Sequence, residues 1–204
     1  MADDARRFEA YESGFLAVRP MLRYYVWAQS SITLGYRQKH LQANYLSQGY
    51  LPHQVAVRPT GGGVVEHQPG DLTYALYLPK DVLPKGSMDD VFRWLSQPLL
   101  SALGDWGVEA YMKLPVVSAQ LSEMCFEQAA GYELSTDGGK LLGQAQRMGR
   151  RVFLAQGTFQ GLNIKQAQYE NFVRHWGVKI EEAQRVWGAN SRASALGIPS
   201  SQLV

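Results

Sequence analysis

Three consecutive glycines, Gly61, Gly62 and Gly63, stand in the stretch RPTGGGVVEH between Arg58 and His67. A loop without Cβ atoms lets a ligand lie directly against backbone amides, and Arg58 and His67 would add polar contacts from either side. A plain turn, with glycine supplying positive φ, explains the same residues equally well. The run is neither of the common phosphate loops. No lysine followed by serine or threonine comes after it, and the Gly-x-Gly-x-x-Gly spacing of a dinucleotide site is absent. The other residue with evident chemistry is Cys125, the one cysteine of the chain. A lone thiol can serve as a nucleophile, although its commoner fate is a small buried apolar side chain.

These residues need elements to position them. Residues 3–17 predict an opening helix, with Phe8, Tyr11, Phe15 and Leu16 near helical spacing. MLRYYVWAQSSITLGY predicts one or two strands broken near residues 28–30. HLQANYLSQGY reads as a helix stopping at Gly49, and QVAVRPT as a strand entering the glycine loop. DLTYALYLP alternates Leu72, Tyr74, Leu76 and Leu78 with smaller or polar neighbours and ends at Pro79. Ser87 and the two aspartates after Met88 predict a helix start, with Gly104 near its end and Pro98 as a kink or a break. VEAYMKL is expected to be a strand, and the Asp-Gly-Gly at residues 137–139 the turn of a hairpin. The tail after Asn163 reads as helical, its apolar face formed by Phe172, Trp176, Ile180 and Trp187. Hairpins mixed with helices argue an α+β fold, a mixed and largely antiparallel sheet with flanking helices.

A chain of 204 residues forms one domain with a real core, here 1–204, with 164–204 as a divergent helical tail. Its formal charge of +2 and the absence of a basic run argue against a nucleic-acid surface. No apolar run is long enough to cross a bilayer, and no apolar signal core opens the chain. A single cysteine excludes an intramolecular disulfide framework and suits a reducing, cytoplasmic setting. No metal ligands are assigned.

RPTGGGVVEH followed by GDLTYALYLP resembles the signature of the superfamily of lipoate-protein ligases, octanoyltransferases and biotin-protein ligases. That signature is Arg-x-Thr-Gly-Gly, a small variable loop, a histidine, then an aspartate or asparagine before a Thr-Tyr-Ser strand. Upstream, YYVWAQSSITLGYRQK is similar to the family's strand pair, with Trp27, Gly35 and Gln38 in place. Downstream, GKLLGQAQRM resembles its lysine motif, centred on Lys140, and LAQGTF the strand after it, Gln156-Gly157 standing where a His-Gly pair is usual. Four motifs in order cover residues 3–163. The resemblance implies a biotin/lipoate ligase type of catalytic domain. Its substrate contacts would be Arg58, Thr60, Gly61, Gly62, Gly63, His67, Tyr74, Gly143, Gln144 and Ala145. Tyr74 and Leu76 would either line an acyl tunnel or belong to the core.

The branch turns on Cys125. MCFEQAAGYEL resembles the Cys-Phe-x-x-Pro-Ser-x-Tyr-Glu-Leu stretch of the cysteine-dependent octanoyltransferases, with Ala129-Ala130 in place of Pro-Ser. The resemblance implies an octanoyl or lipoyl transferase. An acyl chain would pass from an acyl-carrier protein to Cys125 and then to a lysine of a lipoyl domain, such as the glycine-cleavage H protein or a dehydrogenase E2. No cofactor would be required. Lys140 would favour the thiolate and hold the acyl carbonyl oxygen. His67 would transfer protons or fix the glycine loop. Two alternatives stay open: an ATP- and magnesium-dependent lipoate ligase with Cys125 as bystander, and an inactive binding module. Val57 where the family carries a first arginine, an opening strand expected to be missing or replaced, and an atypical tail are the departures.

Overall fold

The computed structural model describes residues 1–113 and 133–188, with side chains as far as residue 183. Its frame is a six-stranded sheet built from β1 (Met21–Val26), β5 (Leu72–Pro79), β6 (Tyr111–Lys113), β7 (Glu133–Thr136), β8 (Gly139–Met148) and β9 (Val152–Phe159). The spatial order is β1-β5-β9-β8-β7-β6, and every neighbouring pair is antiparallel. A second, three-stranded sheet has the order β3-β2-β4, from β2 (Ser31–Leu34), β3 (Val55–Val57) and β4 (Val65–His67). Here β2 runs parallel to β3 and antiparallel to β4. The α+β expectation of a mixed, largely antiparallel sheet with flanking helices holds.

Local chemistry explains the helix limits. In α1 (Ala2–Ser13), Asp3 and Asp4 lie in the first turn, where the helix dipole favours negative charge. Asp4, Phe8 and Tyr11 form its buried stripe at helical spacing, and Gly14 closes it in the left-handed conformation. The predicted continuation to residue 17 fails at that glycine cap. Helix α2 (Gln42–Ser47) follows a 3-10 turn. In α3 (Met88–Asp105), the Ser87 hydroxyl accepts from the Asp90 amide while the Asp90 carboxylate accepts from the Ser87 amide at 2.7 Å. Pro98 neither splits nor ends this helix. It sits buried in the middle of it, where packing outweighs one lost backbone bond. The strand expected across VEAYMKL is only three residues long.

Helices α3 and α4 (Tyr169–Gly188) cover one sheet face, and their Val91, Leu95, Leu99, Phe172 and Trp176 share a core with Leu76, Leu142 and Phe153. Helix α1 covers the other face, where Phe8 and Tyr11 pack on Ala75, Tyr77, Val152 and Leu154. Strands β5 and β9 are consequently buried on both faces. The polar positions of β5 and β9 that alternate with apolar ones therefore do not meet solvent: Thr73, Gln156 and Thr158 are all buried. This second face, shared by α1 and the glycine loop, is where the candidate site lies.

Candidate active site

Strand alternation sorts the residues of β8. Leu142 and Gln144 point to the helical layer, whereas Gly143, Ala145 and Arg147 face α1 and the glycine loop. Gly62 lies over Ala145, since a Cβ at Gly62 would come 3.7 Å from the Ala145 Cβ. Gly62 has φ +87°, a conformation that a side chain would strain. A Cβ on Gly35 would overlap the Gly62 carbonyl oxygen, so the glycine before the 3-10 turn gives the loop room to settle.

Arg58 fastens that loop. Its guanidinium, 5% exposed, donates to the carbonyls of Gly61 (2.8 and 3.1 Å) and Gly63 (2.5 Å) and to the carbonyl of Thr33 (3.0 Å). It also donates to the Thr33 hydroxyl at 3.3 Å. That hydroxyl is 2.8 Å from His67 Nε2. The His67 ring stacks on Trp27 at 4.0 Å, and the indole N–H donates to Thr73 Oγ1 at 2.7 Å. Burial, then the charge of Arg58, lowers the His67 pKa to about 3. The ring is therefore neutral at ordinary pH. Of the two roles read for His67, this setting favours fixing the loop wall. Its Nδ1 has no hydrogen-bond partner among the described residues.

Thr60 is tied to α1. Its hydroxyl donates to Gln156 Oε1 at 2.9 Å, and Gln156 Nε2 donates to Asp4 Oδ2 at 3.0 Å. Asp4 is fully buried and accepts from Arg23 at 2.6 Å, Tyr25 at 3.1 Å and Tyr77 at 3.4 Å. Burial and the Asp4 charge push both phenols up, so both remain donors. A continuous polar strut thus joins the glycine loop, β9 and the first helix. The motif reading missed Asp4 and left Gln156 as a mere replacement for histidine. A lone aspartate at helical spacing from Phe8 and Tyr11 was the available signal.

Beside Arg58 is a slot of about 20 Å3 lined by Thr33, Thr73, Gly143, Ala145, Gln156 and Thr158 among others. The hydroxyls and amide of its wall are engaged with one another: Thr33 with His67, Thr73 with Thr158 at 2.8 Å, Gln156 with Thr60 and Asp4. What remains for an occupant is mostly methyl groups and glycine backbone, a surface suited to an apolar chain.

Lys140 stands on the same strand, three residues before Gly143 and so about 10 Å along β8. Its Nζ donates to Glu133 Oε1 at 2.5 Å, and both side chains are largely buried, 11% and 5% exposed. Leu134 belongs to the helical-side core, so Glu133 projects to the loop face and draws the lysine there. A register shift at Leu134/Ser135 sets this pairing across the hairpin. Glu133 belongs to the MCFEQAAGYEL stretch, but its pairing with Lys140 depends on that irregularity. Cys125 lies outside the described residues. Lys113 and Glu133, on either side of the segment that contains it, are Cα partners in the β6–β7 pair.

Tyr74 and Gln144 are elsewhere. The Tyr74 ring meets Trp176 edge-on at 4.7 Å, and its hydroxyl donates to Gln144 Oε1 at 3.0 Å. Gln144 Nε2 then donates to Ser96 of α3 at 3.1 Å. Both side chains brace the helical layer, and Leu76 shares that core. Gln144 reaches the slot by its backbone. Among the described residues no group of three His, Cys, Asp or Glu side chains could hold a metal ion, and no helix is long and apolar enough to cross a membrane.

Residues 7–197 match the lipoyl protein ligase A/B catalytic domain family. The chain belongs to that family. The match runs well past residue 163, into the tail that had looked atypical. The chain is similar to the octanoyltransferase LipM of Halalkalibacterium halodurans, 30% identical over 152 residues, which are 69% of this chain and 54% of that protein. It is 34% identical to that of Carboxydothermus hydrogenoformans over 130 residues, covering 62% and 48%. The chain thus spans about half the length of these curated relatives. Among solved structures it superposes on protein Ta0514 of T. acidophilum with a TM-score of 0.61 at 17% identity, covering 95% of this chain and 93% of that one. It superposes on lipoate-protein ligase A bound with ATP with a TM-score of 0.59 at 18% identity, covering 94% and 91%. These likenesses show the fold of the lipoate ligase catalytic domain.

Proposed function

We propose that this family member is an octanoyltransferase in protein lipoylation, working through an acyl-cysteine. The observation that carries the reading is the buried Glu133–Lys140 pair on the strand whose Gly143 and Ala145 border an apolar slot. The similarity to proteins named octanoyltransferase LipM and the MCFEQAAGYEL stretch point the same way. In the first step the Cys125 thiolate attacks the octanoyl thioester of an acyl-carrier protein. A new thioester forms on Cys125, and the carrier leaves as a thiolate that takes up a proton. In the second step a lysine amine of a lipoyl domain attacks that thioester. An amide forms, the amine loses a proton, and the cysteine thiolate is restored. Lys140, held in place by Glu133, supplies positive charge beside the developing oxyanion. The acyl tail lies along the slot bordered by Gly143, Ala145 and Thr158.

This route needs no ATP, metal or redox cofactor. It needs a reduced thiol and hence a reducing, cytoplasmic compartment. Acceptors are lipoyl domains, such as an H protein or a dehydrogenase E2 subunit. The rival reading, a lipoate ligase acting through an acyl-adenylate, shares the glycine loop and Lys140 but leaves Cys125 idle. An assay of octanoyl transfer from octanoyl-carrier protein to a lipoyl domain separates them. The transferase modifies the domain without ATP. Modification only with free acid, ATP and magnesium would assign the ligase. Binding of the domain with neither reaction would mean an inactive module.

A further inference from the structure

A second cavity opens on the same sheet face, at the opposite end of β8. It measures about 760 Å3, within the usual size of small-molecule sites. Its walls include Phe8 and Glu9 of α1, Tyr36 and Lys39 after β2, Lys80 after β5 and Arg147 of β8. Arg147 is seven residues from Lys140 along the strand, about 23 Å. The cavity therefore lies away from Lys140, although Arg58 borders both it and the slot.

Its charge is unbalanced. Arg147 is clamped between two rings, its Cζ 4.7 Å from the centroids of both Phe8 and Tyr36. Lys39, Lys80 and Arg147 come from three separate elements, and among the described residues none of them forms an ion pair. Glu12 faces Arg150, its ion-pair partner at 3.9 Å, and its carboxylate also accepts the backbone N–H groups of Arg150 (2.8 Å), Arg151 (2.9 Å) and Val152 (3.1 Å). That leaves Glu9 as the carboxylate of the wall not held by backbone. Concave walls bearing cations of one sign concentrate the field inside the cleft and draw anions to it. Tyr36, 58% exposed, adds a ring on which the body of such a ligand can rest.

We propose that this cleft binds a small polyanion, its phosphate or carboxylate groups held by Lys39, Lys80 and Arg147 and its body lying on Tyr36. The site is coupled to the glycine loop. Arg147 Nη1 donates to the carbonyl of Pro59 at 2.9 Å, one residue before Thr60, so a ligand that draws on Arg147 bears on the base of the loop.

Titration calorimetry with pyrophosphate and, separately, with citrate tests this on the full chain at low salt. Lys39 and Lys80 are both exposed, so the double variant Lys39→Glu/Lys80→Glu should keep its fold, checked by circular dichroism. Wild type and Lys140→Ala should bind one probe or both with submillimolar affinity that weakens as salt rises. The double variant should bind at least about tenfold more weakly. The better probe tells phosphate from carboxylate chemistry. No binding of either probe by wild type, or equal binding by the double variant, would overturn the site. Loss in Lys140→Ala with retention in the double variant would also overturn it, moving the anion to the acyl site.

Discussion

In the proposed reaction Lys140 carries the heaviest chemical load at the residue scale. An ammonium that is 11% exposed and bonded to a buried carboxylate keeps its position without substrate. Lys140→Ala should cut octanoyl transfer by roughly 10²–10³, the range for losing one oxyanion donor, with circular dichroism unchanged; full activity would remove Lys140 from the site. Glu133→Gln should cost less, on the order of tenfold, because one hydrogen bond survives while the charge pairing goes. His67 makes a different prediction. Its pKa is about 3 when folded against an ordinary 6.5, so the unfolded chain binds the extra proton first as pH falls. The stability tied to neutral His67 is complete above pH 6.5 and lost on descending from 6.5 toward 3. Denaturant melts across that window should show a shallower pH slope in His67→Phe than in wild type, and equal slopes would contradict the buried neutral ring. The motifs singled out Lys140, Arg58 and His67. They did not make legible that Arg58 spends its donors on loop carbonyls, or that Tyr74 and Gln144 face the helices. Those facts depend on register, and a one-residue change of register exchanges the two faces of a strand.

Short-range signals at the scale of elements proved reliable. The Asp-Gly-Gly turn gave the β7–β8 hairpin, Ser87 opened α3, and the break near residues 28–30 separated β1 from β2. The parallel β2–β3 pairing was not legible, because it joins segments twenty residues apart through a 3-10 turn and a short helix. Nor was the burial of both faces of β5, which requires α1 and the helical layer to lie on opposite sides. The same packing creates the strut from Thr60 through Gln156 to Asp4. Gln156→Leu, close in size, should leave the core packed but free the loop. Hydrogen exchange at Gly61–Gly63 should accelerate, and KM for octanoyl-carrier protein should rise several-fold with a smaller change in kcat. Unchanged exchange would show that Arg58 alone holds the loop. Gly35→Ala should destabilise by roughly 1–3 kcal/mol in chemical melts, because its Cβ meets the Gly62 carbonyl rather than a yielding side chain.

The whole molecule joins two layers that answer different demands. Helices α3 and α4 with one sheet face supply a continuous apolar core, whereas the other face carries polar groups bonded in chains: Trp27–Thr73–Thr158, Arg58–Thr33–His67 and Thr60–Gln156–Asp4. Networks of this kind hold a site rigid, and His67 Nδ1 is, among the described residues, the unpaired atom in the second of them. They also leave a slot wall of methyls and backbone from polar residue types, which composition alone would never suggest. Family membership rests on motifs spread across this whole frame, and the account of activity rests on one thiol. Intact-mass analysis of the protein incubated with octanoyl-carrier protein, without ATP, tests that thiol directly. The account predicts one octanoyl increment, located on Cys125 by peptide mapping, absent in Cys125→Ser and discharged by a lipoyl domain. An unmodified Cys125 in a preparation that still octanoylates the lipoyl domain would contradict it.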